Sequence, residues 1–259
     1  MKKFLILFAI CFAVNAVVWM IFRTTPLTPQ EVSKLNASKT TNQLILVGGI
    51  GGSNAVFTLY VKQNGQWREV LTTPAYIGKN GLGKTKEGDG KTPIGQFHFT
   101  KAFGIASDPG SIMDYTKVDD SHYWNGDSRS SRYNQFVSIR DYDFFDKKES
   151  EHIIEYVKPY QYCLNISYNE DGTPQLGSAI FLHCYSNNTY TGGCVAIPED
   201  LMKKVLTIVH PQCQIVIDYL VNLASYWFWP FFLVFLFSTS WGIHAWRLSL
   251  TSVNQPPKS

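Results

Sequence analysis

Ser178-Ala-Ile-Phe-Leu-His183-Cys-Tyr-Ser-Asn-Asn-Thr-Tyr-Thr191-Gly192-Gly193-Cys194-Val-Ala-Ile-Pro198 decides how this chain is read. The apolar run at residues 179–182 has the length and composition of a buried strand, and it delivers His183 at its end. A polar loop follows, then two glycines and Cys194. A nucleophilic cysteine needs a base within reach, an open approach and backbone N–H groups where an oxyanion develops, and this stretch offers all three. A thiol with an ordinary pKa of about 8.5 is mostly protonated at neutral pH, so His183 is expected to take its proton and form a thiolate and imidazolium pair. Gly193 has no Cβ, which frees its N–H and that of Cys194 to turn toward negative charge. These two are the expected oxyanion donors. Period-2 geometry puts His183 and Cys184 on opposite strand faces, which makes Cys184 a packed thiol outside the site. A lone cysteine is most often buried and inert; the pair spaced through a Gly-Gly turn speaks for chemistry.

A second block lies upstream, Glu87-Gly-Asp89-Gly-Lys91-Thr92-Pro-Ile-Gly95-Gln-Phe97. Together the two stretches, in this order, resemble the signature of the YkuD family, the L,D-transpeptidase catalytic domain of bacterial cell-wall enzymes. The matching elements are His183 and Thr191-Gly192-Gly193-Cys194, with Gly192 standing where many members have His and Ala196 where many have Arg. The resemblance covers residues 44–219. It implies a mainly β (α+β) fold, a β-sandwich with one helix after the cysteine, in which the 87–97 block frames a substrate groove. It also implies acyl transfer on peptidoglycan stem peptides without a metal or organic cofactor. Cys194 would attack the carbonyl between an L-centre and a terminal D-residue, and His183 would pass its proton to the leaving amine. An amine from a second stem would then give a cross-link, a free D-amino acid exchange, and water hydrolysis. The alternatives are an L,D-carboxypeptidase or hydrolase of the same fold, releasing stem residues or wall-bound protein, and a non-catalytic cell-wall-binding module.

The 259 residues, 45% hydrophobic with a formal charge of +3, suffice for one substantial domain with appendages. The chain holds no Lys/Arg run of nucleic-acid type, and the mild basic excess suits an anionic wall or membrane surface. Lys2 and Lys3 precede an uncharged stretch at 4–22. A signal-peptidase site after Ala16 is one reading of residues 1–23, and an uncleaved membrane anchor is the preferred one because the run is long enough to span a bilayer. Residues 24–42, rich in Pro, Thr, Ser, Lys and Asn, read as a linker. The catalytic domain is expected at 43–218. Residues 219–246 carry no Lys, Arg, Asp or Glu and are rich in aromatics; they read as a second span or an interfacial helix, followed by a polar tail at 247–259. Both readings place the domain outside the cytoplasm, tethered in the cell envelope.

Within the domain, residues 57–70 alternate apolar and polar about Asn64-Gly65, a hairpin signal. Residues 48–52 are glycine-rich without the Gly-Lys-Ser/Thr ending of a phosphate loop and read as a flexible connection. Residues 107–133 form a long polar and aromatic loop. Its Asp119, Asp120, His122 and Asp127 fit no metal spacing. Tyr123, Trp124, Tyr133 and Asn134 are the expected groove-lining residues, with Thr191 and Gly192 beside the cysteine, and the resemblance points the same way. Glu151-His152 sits in a charged stretch and reads as solvated surface. Strands are expected at 136–139, 162–168 and 214–218, and a helix at 198–209 with Pro and acids in its first turn. Among the five cysteines, Cys163 and Cys184 fall on candidate strands, as a bridge or as two packed thiols.

Overall fold

The Asn64-Gly65 turn is where local sequence dictates structure most directly. Both residues take positive φ, 51° and 78°, as a two-residue hairpin turn requires, and they join β2 (Asn54–Gln63) to β3 (Gln66–Tyr76) in register from Gln63↔Gln66 upward. A computed structural model of the chain describes residues 25–223. Its first strand is β1 (Gln43–Gly51), which pairs antiparallel with β2. The glycine-rich run continues this strand instead of breaking it. A Cβ at Gly48 would meet Leu220 at 2.5 Å, so the glycines admit close packing.

The remaining strands of the large sheet are β4 (Gly95–Gly104), β5 (Tyr115–Lys117), β9 (Cys163–Ile166), β10 (Phe181–Cys184), β11 (Val195–Ile197) and β12 (Gln214–Tyr219). Nine strands run in the order β12-β1-β2-β3-β11-β10-β9-β4-β5, and β4 also pairs with β12. The two ends of β4 have different partners: residues from Gly95 to His98 pair with β12, and those from Phe99 to Phe103 with β9. One long strand thus turns the corner and closes the sheet, so the expected sandwich is one continuous sheet wrapped round its core. Closure leaves β4 and β12 without a free hydrogen-bonding edge between them.

A separate three-stranded sheet, β7-β6-β8, consists of β6 (His122–Asn125), β7 (Gln135–Ser138) and the two-residue β8 (Glu151–His152). The long loop expected at 107–133 therefore contains β5 and β6. Two apolar clusters follow from this layout. The larger fills the closed sheet with Phe57, Leu59, Leu164, Leu182, Val195 and Ile215 among others. The smaller contains Phe103, Trp124, Tyr160, Cys163, Phe181 and Cys194. Alternation along β10 divides its side chains between them, with Leu182 and Cys184 in the first and Phe181 in the second. Each large apolar side chain fully buried here contributes roughly 1.5–3 kcal/mol.

Helix α1 (Pro29–Val32) and a 3-10 turn at Ala37–Lys39 occupy the stretch read as a linker. Thr28 and Glu31 form a capping box, Leu27, Val32 and Ala37 are buried, and the Tyr60 hydroxyl donates to the Leu27 carbonyl. Residues 27–41 are therefore part of the packed domain; the Thr-x-x-Glu spacing was the signal. The helix expected after the cysteine is α2 (Glu199–Leu206), opening at Pro198 with Glu199 and Asp200 in its first turn and burying Met202, Val205 and Leu206. A short α3 (Leu220–Leu223) ends the described chain. Cys163, Cys184, Cys194 and Cys213 are all free and buried, which settles the Cys163 and Cys184 alternatives for packed thiols. The expected anchor at 1–23 and all but the first residues of the expected 219–246 segment lie outside the described residues. Among the described residues no helix is long and apolar enough to cross a membrane.

Candidate active site

Parallel pairing of β10 with β11 sets His183 opposite Ala196, and the loop between them returns Cys194 to the same cleft. That cleft has a volume of about 530 Å³, and both side chains line it. The His183 Nδ1 lies 2.7 Å from the Cys184 carbonyl oxygen. A carbonyl only accepts, so the neutral imidazole carries its proton on Nδ1 and keeps the Nε2 lone pair free.

The resting pair is neutral. Burial pushes the Cys194 thiol up to about 12, helped by the negative charge of Glu151 and opposed by the Phe181 N–H. Burial lowers His183 to about 4, partly offset by its bond to the Cys184 carbonyl. The thiolate and imidazolium pair expected from sequence is therefore not the ground state, because neither charge is solvated there. The Cys194 thiol donates to the Ala179 carbonyl at 3.1 Å and accepts from the Phe181 N–H at 3.3 Å.

Of the two expected oxyanion donors, the Gly193 N–H is already engaged within the turn. The Gly193 N–H is bonded to the Thr191 hydroxyl oxygen at 3.1 Å, and the same hydroxyl donates to the Cys194 carbonyl at 2.7 Å. Thr191 is buried, lines the cleft beside Gly192 as expected, and its hydroxyl shapes this turn. No hydrogen bond joins the Gly192 or Cys194 N–H to another described residue, so Gly192 replaces Gly193 beside Cys194 as the available donor. The 87–97 block frames the site as the resemblance implied. The Thr92 hydroxyl donates to the Cys194 carbonyl at 3.2 Å and accepts the Gly78 N–H at 2.8 Å. Asp89 collects the N–H groups of Thr85, Lys86 and Lys91 and pairs with Lys84 at 3.1 Å.

Of the four aromatic and polar residues expected in the groove, Trp124 lines it. Tyr123, its neighbour on β6, points to the other face and stacks on His152 with ring centroids 4.3 Å apart. Tyr133 is buried and donates to Glu87 at 2.7 Å. Asn134 works from behind: its Oδ1 accepts from Trp124 Nε1 at 2.9 Å and from the Ala179 N–H at 3.0 Å. It thereby holds Ala179, at φ 54°, where that residue's carbonyl receives the thiol. Asp119 is tied to Ser121 and Arg140, and Asp127 to Arg129.

Glu151 was missed. Its strand β8 pairs with β6 so that Glu151 sits opposite Trp124, and cross-strand partners share a face. The carboxyl lines the cleft and accepts from the Tyr160 hydroxyl at 2.7 Å. Burial raises it to about 7, against the lowering effect of that bond. Only the Glu151/His152 alternation hinted at this, and a two-residue strand is too short to show a period.

A family model described as YkuD, the L,D-transpeptidase catalytic domain, matches residues 53–217. The chain belongs to the YkuD family. No curated protein sequence matches it closely enough to count. Among solved structures, this YkuD chain is similar to Bd1075 of Bdellovibrio bacteriovorus at 16% identity and a TM-score of 0.39, covering 71% of this chain and 50% of that one. It is similar to the helical cell shape determining protein Pgp2 of Campylobacter jejuni at 15% identity and a TM-score of 0.40, covering 69% and 48%. It also matches L,D-transpeptidase 1 of Mycobacterium tuberculosis at 14% identity and a TM-score of 0.33, covering 68% and 61%. The chain spans about half the length of the first two.

Proposed function

We propose that the chain is a cysteine-dependent L,D-transpeptidase acting on peptidoglycan stem peptides. The observation that carries this reading is the His183 tautomer fixed by the Cys184 carbonyl, which leaves Nε2 as an acceptor in the cleft that Cys194 lines. When a stem peptide binds, the Cys194 proton moves to His183 Nε2 as sulfur attacks the carbonyl of the L-residue. The oxyanion meets the Gly192 and Cys194 N–H groups. His183 then hands its proton to the departing D-amino acid, leaving a thioester on Cys194. An acceptor amine resolves the thioester into a new amide.

A neutral resting pair suits this sequence of events, since the thiolate forms only when the carbonyl is there to receive it and the buried site is spared two unsolvated charges. The test is the intact mass of the protein after incubation with a tetrapeptide-stem muropeptide. A mass increase equal to the muropeptide less the departing D-amino acid, lost again on adding an amine, is the expected result. A protein that binds the muropeptide without a covalent adduct would be a wall-binding module. Product analysis with and without an amine acceptor separates transfer from hydrolysis.

The apolar stretches at 4–22 and 219–246 support an exported domain tethered in the envelope by two spans, both termini cytoplasmic, with Lys2, Lys3 and Arg247 on the inner side. A cysteine placed at Ser259 is then shielded from a membrane-impermeant thiol reagent in intact cells. Labelling from outside would rule out the second span.

A further inference from the structure

Glu151 has no part in the acylation just described. Its charge works against that step, because it disfavours a thiolate on Cys194. A carboxylate that opposes the first half-reaction yet lines the same cleft calls for a use in the second. There the nucleophile is an amine, which arrives at neutral pH as an ammonium ion and must lose a proton before it attacks.

The geometry suits such a guest. One carboxylate oxygen is held by the Tyr160 hydroxyl at 2.7 Å. The Tyr160 ring meets the His183 ring edge to face, centroids 5.5 Å apart. Glu151 thus stands one side chain away from the imidazole, carried by β8 and lining the same cleft. Among the described residues it forms no ion pair with a cation, and the lysine lining the cleft, Lys84, is already paired with Asp89 at 3.1 Å. Its second oxygen is left for an incoming donor.

We propose that Glu151 is the acceptor-amine site of this enzyme: it binds the ammonium group of the second substrate beside the thioester and takes its first proton. This rests on the acyl-enzyme reading above. The ammonium gives one proton to the Glu151 carboxylate, and the freed nitrogen lone pair forms the C–N bond at the thioester carbonyl. The second ammonium proton passes to His183 Nε2 as the C–S bond breaks, and from there to the Cys194 sulfur, restoring the thiol. Glu151 releases its proton to solvent. Thioester and ammonium become amide, thiol and one proton, with no oxidant or co-reactant. A carboxyl held by burial near neutrality is suited to this exchange.

The experiment uses the full-length chain acylated by a tetrapeptide-stem muropeptide and compares two nucleophiles at pH 7: D-alanine, which arrives as an ammonium, and hydroxylamine, which arrives uncharged. In Glu151→Gln the ratio of D-alanine to hydroxylamine turnover is expected to fall at least tenfold. An unchanged ratio, or a selective loss of hydrolysis that marks Glu151 as a base for water, overturns the proposal. A wild-type measurement guards against misfolding of the variant. The trimethylammonium analogue of D-alanine should compete with D-alanine, and its neutral tert-butyl counterpart should not; equal inhibition by both, or by neither, overturns the proposal. Absence of any acyl-enzyme in the wild type would instead overturn the proposed function, and the mass spectrum shows it directly.

Discussion

The two walls of the cleft are built by opposite means. One wall, β10 with β11 and the turn between them, is a contiguous sequence whose strands lie inside the closed sheet, each paired on both sides. The other is assembled from β6, β8 and the segment around Tyr160, where the strand carrying Glu151 is two residues long and is held by pairing with β6 alone. The first wall carries Cys194 and His183, the proposed nucleophile and base, and its geometry is over-determined by the core. The second carries Glu151, the proposed acceptor site, on a two-residue strand beside the buried Trp124 and Tyr160. A catalytic pair tolerates little displacement, whereas a wall that only binds a second substrate would have more room to differ.

The largest expected effect falls on the first wall. Cys194→Ala should abolish acyl-enzyme formation in the intact mass assay while the fold survives, as near-unchanged thermal unfolding would show. Retained turnover would place the nucleophile elsewhere. His183→Ala should cost about 10²–10⁴ in acylation rate. Because burial holds the Cys194 thiol at about 12, raising the pH to 9 should give little rescue. A wild-type profile sharpens the point: the base must be neutral, so acylation is expected to fail only as pH drops through about 4, where His183 becomes protonated. An acid limb near 6.5 would mean that the imidazole is solvated.

The second wall breaks differently. A Cβ at Gly126 would run into the Glu149 carbonyl, so Gly126→Ala must push the 149–151 segment away from β6. We expect a loss of about 1–3 kcal/mol, typical of overpacking, with labelling of Cys194 by a carbapenem-type β-lactam retained and transfer to D-alanine impaired. Equal damage to labelling and transfer would mean that the walls move as one.

The smallest expected effect tests the frame beneath both. Burial favours a protonated Asp89, but the N–H groups of Thr85, Lys91 and Lys86 and the Lys84 ammonium outweigh it and hold the carboxyl at about 2, below its ordinary 3.8. A depressed carboxylate stabilises the fold fully above its unfolded pKa and loses that contribution as pH falls through the folded one. Asp89→Asn should therefore lower stability at neutral pH by about 2 kcal/mol and flatten the decline in unfolding temperature between pH 4 and 2. An unaltered acid limb would show that the loop is held without this charge.

The sequence by itself determined the first wall, the hairpin at Asn64-Gly65 and helix α2. Each of these is local: a turn needing two positive φ values, a strand followed by Gly-Gly-Cys, a helix opening at Pro198 with acids behind it. That Cys194 and His183 share one cleft was legible because they lie eleven residues apart, at the end of one strand and just before the strand paired with it. Only the tertiary structure decided the rest. Tyr123, Tyr133 and Asn134 carry the chemistry of groove residues, but β6 turns Tyr123 outward, and Tyr133 and Asn134 are spent on Glu87 and on the Ala179 turn. Glu151 looked solvated because its neighbours in sequence are charged, and its burial comes from Trp124 and Tyr160, which reach it by strand pairing and by a fold of the chain. The protonation states were decided there too: a thiol and an imidazole have ordinary pKa values in a sequence, and acquire the values of this site only when the surrounding structure removes the water that would stabilise their charges.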